Sequence, residues 1–156
     1  MMYGGGAVKF RRMNIRTNDY PRVFSKPTFH VIQNEAEFLA TYGITSYSPR
    51  VDFDRYVVIA VHRGLCRTGG YGIRIEEVRR IGRTVLVKFH LRDPAPDEFV
   101  SLVMTYPSDM VYISRDELDP GDGSVLVFSF RDDRGNEMHR LPVTLTKGRV
   151  SSEEKG

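Results

Sequence analysis

The chain has 156 residues, 40% of them hydrophobic and 28% charged, with a formal net charge of +3. That length supports one domain with its own core, and the composition excludes a wholly disordered chain. The single cysteine, Cys66, excludes an intrachain disulfide and a complete cysteine-based zinc site, and no apolar run approaches the roughly 20 residues of a membrane span.

Residues 1–26 read as a basic N-terminal segment, partly flexible. Six basic side chains, Arg11, Arg12 and Arg16 among them, face one acid, Asp19. Glycines 4–6 precede a short strand expected around Ala7–Met13. Glycines and arginines stand where a secretory signal needs its apolar stretch, so the expected location is cytoplasmic. Residues 27–148 read as a single β-rich domain and 149–156 as a polar tail.

After Pro27, Thr28–Gln33 is expected to be a strand. Asn34 then suits a helix N-cap, because its side-chain oxygen can accept an early backbone N–H. Glu35 and Glu37 follow where the helix dipole favours negative charge, and Gly43 suits a left-handed cap. Phe38, Leu39 and Tyr42 supply the apolar face of this short helix, Glu35–Tyr42.

The remainder reads as strands. Tyr56–His62 is apolar on both faces, the pattern of a central buried strand. Tyr71–Arg79 alternates Tyr71, Ile73 and Ile75 with Gly72, Arg74 and Glu76, and turns at Ile81-Gly82-Arg83 into Thr84–Leu91, with Val85, Val87, Phe89 and Leu91 on one face. Asp93–Asp97 breaks the sheet, and Phe99–Tyr106 and Met110–Ile113 are expected as the next strands, interrupted at Pro107. Asp119–Gly123 is a turn by composition. Val125–Phe130 and Met138–Thr146 form a hairpin across Asp132–Asn136. The expected fold is all-β, a sandwich or partly open barrel of about seven or eight antiparallel strands with one short α-helix.

Positive charge gathers again in residues 50–92, with ten basic side chains against four acidic ones, whereas 93–156 carry seven against thirteen. Such polarity can steer an acidic partner. Arg11, Arg12 and Arg16 with Tyr3, Phe10 and Tyr20 supply the cations and rings that single-strand nucleic-acid binders combine, but no ordered aromatic motif accompanies them. A nucleic-acid module is therefore the alternative, not the leading reading.

Signatures of catalysis are missing. No G-x-S-x-G or H-E-x-x-H occurs, and the glycines between Gly64 and Gly72 lack the Lys-Ser/Thr of a phosphate loop. Cys66 with flanking Arg63 and Arg67 is a second alternative, a small enzyme using its thiolate. The four histidines, His30, His62, His90 and His139, are isolated in sequence, so neither a metal nor another cofactor is expected.

One ordered set of features stands apart: Val51-Asp52-Phe53, the apolar strand Tyr56–Val61, Gly64, Thr68-Gly69-Gly70-Tyr71, the Ile73/Ile75 alternation, Pro94, and Tyr106-Pro107. Over roughly residues 30–114 this order resembles the C-terminal domain of the PrcB family, accessory subunits of a surface protease complex. The helix at Glu35–Tyr42 sits where that family carries an amphipathic segment. The resemblance implies a non-catalytic domain that associates with, or stabilises, a protease or another protein. Family members are usually secreted or lipid-anchored, which points away from the cytoplasmic expectation. The Thr68-Gly69-Gly70-Tyr71 loop is the expected contact, the alternative being a fold-defining turn with Tyr71 packed inside and no binding role. Paired glycines permit positive φ and close backbone approach, and Tyr71 is a residue type favoured at interface centres. Arg63 and Arg67 would flank an acidic patch of the partner. Edge strands also allow two copies to pair.

Overall fold

The computed structural model describes residues 6–13, 24–43 and 51–146. The described residues form nine strands: β1 (Gly6–Ala7), β2 (Arg11–Arg12), β3 (Thr28–Ile32), β4 (Tyr56–His62), β5 (Gly72–Ile81), β6 (Thr84–Arg92), β7 (Ser108–Ser114), β8 (Val125–Arg131) and β9 (Glu137–Thr144). Helix α1 spans Glu35–Tyr42 and a single turn, α2, spans Arg115–Leu118. One sheet has the order β1-β5-β6-β8-β9 and the other β2-β7-β4-β3, so the architecture is an open sandwich.

Alternation decides which side chains meet between the sheets. Val57, Ile59 and Val61 of β4, with Val111 and Ile113 of β7, face Val85, Val87 and Phe89 of β6 and Leu126, Phe128 and Phe130 of β8. The other face of β4, Val58 and Ala60, is covered by Phe38 and Tyr42 of α1 together with Ile32 and Met110. This double burial explains why the β4 sequence is apolar without alternation. Helix α1 is capped as its sequence dictates: the Asn34 side chain accepts from Glu37 N at 2.8 Å, and Gly43 adopts φ 84°.

Several expectations need correction. The single strand expected at Ala7–Met13 is two separate two-residue pairings, β1 on β5 and β2 on β7, so this segment crosses from one sheet to the other. The crossing buries Val8 in the inter-sheet core. Among the described residues all strand pairs are antiparallel except β6 with β8, which is parallel because the chain returns to that sheet through β7 of the other. The alternation of β5 changes phase at a bulge between Ile75 and Glu77, which lets Val78 as well as Ile73 and Ile75 point inward. There the Asp109 carboxylate accepts from Ile75 N at 2.8 Å and pairs with Arg12 at 3.0 Å, while Arg12 also donates to the Ile75 carbonyl.

The largest correction concerns Phe99–Tyr106, which contains no named strand and makes only an isolated bridge from Thr105 to Cys66. Its apolar run mimics a strand, yet Phe99, Leu102, Val103 and Met104 are 102%, 87%, 65% and 62% exposed. Sequence reading also gives no hint of α2. Arg115 at its start is buried and donates to the carbonyls of Phe53, Gln33 and Thr146, joining the helix to three distant segments.

Candidate functional site

The corner between β4 and β5, residues 63–71, lies at the surface and brings the expected contact residues together. Thr68, Gly69, Gly70 and Tyr71 are half-buried, whereas Arg67 is exposed. Gly70 adopts φ 92°, and a Cβ placed there would stand 2.7 Å from Val100 and 2.9 Å from Pro94. Glycine is required at this position both by backbone conformation and by space. At Gly69 a Cβ would meet the Ser101 hydroxyl at 2.7 Å.

The corner is clamped to the loop that follows β6. Cys66 and Thr105 exchange backbone hydrogen bonds, each at 2.8 Å, and Gly69 N–H donates to the Ser101 carbonyl at 2.9 Å. The Thr105 hydroxyl donates to the Thr68 carbonyl at 2.9 Å, and Arg92 donates to the Gly70 carbonyl. The close backbone approach that the paired glycines permit is thus used within the chain, and much of the corner's main chain serves the clamp.

Arg63 has a structural task. Its guanidinium lies 4.9 Å from the centre of the Tyr71 ring, donates to the carbonyls of Gly72 and Arg92, and pairs with Asp93. That leaves Arg67 as the exposed cation of the corner, with no ion pair among the described residues. The Tyr71 hydroxyl is hydrogen-bonded to none of the described residues.

The alternative sites are dispersed. Cys66 is buried, and its thiol faces the Gly64 carbonyl at 3.9 Å. His62 accompanies Tyr42 and His30 under α1, with Tyr42 Oη 2.7 Å from His62 Nε2. Burial, then the nearby His30, lowers the His62 pKa to about 3. His30 is lowered too, by burial first and then by His139. His90 instead contacts Asp133, and His139 stacks on Phe29. Among the described residues no three His, Cys, Asp or Glu side chains form a group that could hold a metal ion. The same residues include no helix long and apolar enough to cross a membrane.

Of the basic and aromatic cluster, Arg12 is consumed by Asp109 and Phe10 packs on the core, while Tyr3, Arg16 and Tyr20 lie outside the described residues. A shallow cleft of about 430 Å³ runs beside Phe10 and Arg11 to Tyr56 and Tyr112. None of Arg63, Arg67 or Thr68–Tyr71 lines it.

The segment from β4 through β7 therefore contains the corner, its clamp and the exposed loop in one continuous stretch. The PrcB C-terminal family model matches residues 57–114. The resemblance read from the sequence thus stands on a narrower span than 30–114, since β3 and α1 precede the matched residues. Within the matched segment fall Gly64, Thr68–Tyr71, Pro94 and Tyr106-Pro107, whereas Val51-Asp52-Phe53, which also carried the resemblance, precedes it. No curated protein and no solved structure matches the chain. Within the matched residues, 99–104 holds five apolar residues in six, and four of them are more than 60% exposed.

Proposed function

We propose that this chain is a non-catalytic protein-interaction module of PrcB type, which associates with or stabilises a protease or another protein through the corner at Thr68–Tyr71. The observation that carries this reading is the clamped corner inside the matched segment. A glycine that tolerates no side chain, four hydrogen bonds to the neighbouring loop and the Arg63 stack hold Tyr71 and Arg67 in place at the surface. A surface fixed in advance loses less conformational freedom when a partner binds. Tyr71 offers a ring with an uncommitted hydroxyl, and Arg67 an exposed cation suited to an acidic patch.

The test is co-purification of the tagged chain from its native cells, with Tyr71→Ala and Arg67→Glu beside the wild type. Substitution at Gly69 or Gly70 is a poor probe, because it would displace the loop as well. The proposal expects a partner recovered in constant ratio with the wild type and depleted by both variants, each of which still unfolds cooperatively. Equal recovery with folded variants removes the corner from the contact, and a chain that always purifies alone contradicts the reading as a whole.

A further inference from the structure

We propose that Phe99, Leu102, Val103 and Met104 form an apolar prong that inserts into a concave apolar groove of a folded partner protein. This rests on the PrcB-type interaction reading and adds where, and by what chemistry, the partner is held. Four large apolar side chains, each more than 60% exposed, stand within six residues, just before the bridge from Thr105 to Cys66. Scattered exposed apolar residues are ordinary, but a contiguous cluster marks an interaction surface.

The prong is irregular in backbone yet tied at both ends. The Glu98 carboxylate accepts from Ala95 N–H and from Arg92 just before Phe99. Ser101 and Thr105 are held by Gly69, Cys66 and Thr68 within and after it. The Gly70 side of the corner packs against Val100 and Pro94, so the prong rests on the glycines that the family segment contributes. Anchors held in place before binding lose less conformational freedom when a partner arrives.

Charge selects the occupant. The two loops carry Arg63, Arg67 and Arg92 against Asp93, Asp97 and Glu98. Arg63 pairs with Asp93 and Arg92 with Glu98. A balanced rim has no net attraction for nucleic acid or anionic lipid. Asp97 and Glu98 directly precede Phe99, so inserting the prong into a bilayer would carry two carboxylates to the headgroups. A second copy would bury the apolar run against itself but would leave Arg67 facing no acid other than those already paired or set beside the run. A partner groove with its own acid supplies one. A protein groove that admits Phe99 and Leu102, with an acid facing Arg67 and a base facing Asp97, is complementary in both shape and charge.

The experiment places a photoreactive benzoylphenylalanine at position 102 of the full chain in its native cells and identifies the crosslinked species. The crosslinked protein is then purified and titrated with wild type, with Tyr71→Ala and with the double variant Leu102→Asp, Met104→Asp. The proposal expects one defined partner whose Kd rises at least roughly 30-fold in the double variant. The unfolding midpoint of that variant should stay at the wild-type value, because both side chains are exposed. A partner that binds the double variant as it binds wild type, but loses Tyr71→Ala, overturns the prong and leaves the corner reading intact. Crosslinks confined to a second copy, with a dimer in sedimentation, overturn it as well. So does crosslinking to lipid with recovery of the chain on phosphatidylcholine vesicles. Absence of any partner overturns both readings.

Discussion

At the scale of single residues, the buried polar groups set the stability of the sandwich. Arg115 keeps its charge out of water only because three carbonyls receive its N–H groups. Burial is the largest influence on it and lowers its pKa, against the opposing pull of Asp119, Asp54 and Glu37. Arg115→Met fills the same space but orphans those carbonyls, and should lower the unfolding free energy by about 3 kcal/mol in urea titrations. His62 makes stability depend on pH. Its imidazole is ordinary near 6.5 when unfolded and held to about 3 in the fold. The unfolded chain therefore takes up a proton that the native state refuses. Stability is complete above pH 6.5 and falls as pH drops toward 3, by about 3 kcal/mol between pH 7 and pH 4 from this group alone. His62→Gln, which still offers Tyr42 a hydrogen-bond partner, should flatten most of that slope in unfolding curves taken across this range. The smaller part carried by His30 should remain. Arg115 was not legible in the sequence as a buried group, and His62 was legible only as the end of a buried strand, because nothing local marks partners that lie on other elements.

At the scale of elements, what could be read from the chain was what neighbouring residues decide. The cap from Asn34 to Glu37, the closing Gly43 and the tight turn at Gly82 are local arrangements, and each appears at its expected position. The β5 bulge was not legible because Asp109 and Arg12, which hold it, come from the other sheet. The parallel pairing of β6 with β8 was hidden for a similar reason, as alternation reports a face and not a neighbour. At the corner, two glycines that look alike in sequence differ in space. Gly70 has φ 92° and a Cβ position 2.7 Å from Val100, whereas a Cβ at Gly72 meets only Arg92 at 3.6 Å. Gly70→Ala should destabilise by about 2 kcal/mol and Gly72→Ala by less than about 0.5 kcal/mol in thermal unfolding. Equal effects at the two positions would mean that the corner yields easily to a side chain.

At the scale of the whole molecule, the sandwich separates the apolar residues that build its layers from an apolar run that the layers leave out. The inter-sheet core uses the apolar faces of β4 to β8, and α1 closes the second face of β4. Phe99–Met104 is an apolar run of similar composition that joins neither layer, and sequence periodicity alone could not distinguish it from a strand. The Thr68–Tyr71 corner was legible as a place through its glycines and its family resemblance. Its role as the clamp of that loop was not, since the pairing partners Ser101 and Thr105 lie more than 30 residues away. Amide hydrogen exchange on the free protein tests this arrangement most directly. The N–H groups of Cys66, Gly69 and Thr105 should exchange with the protection of strand amides in β4 and β6. Exchange of those three amides at the rate of an unstructured peptide would contradict the account.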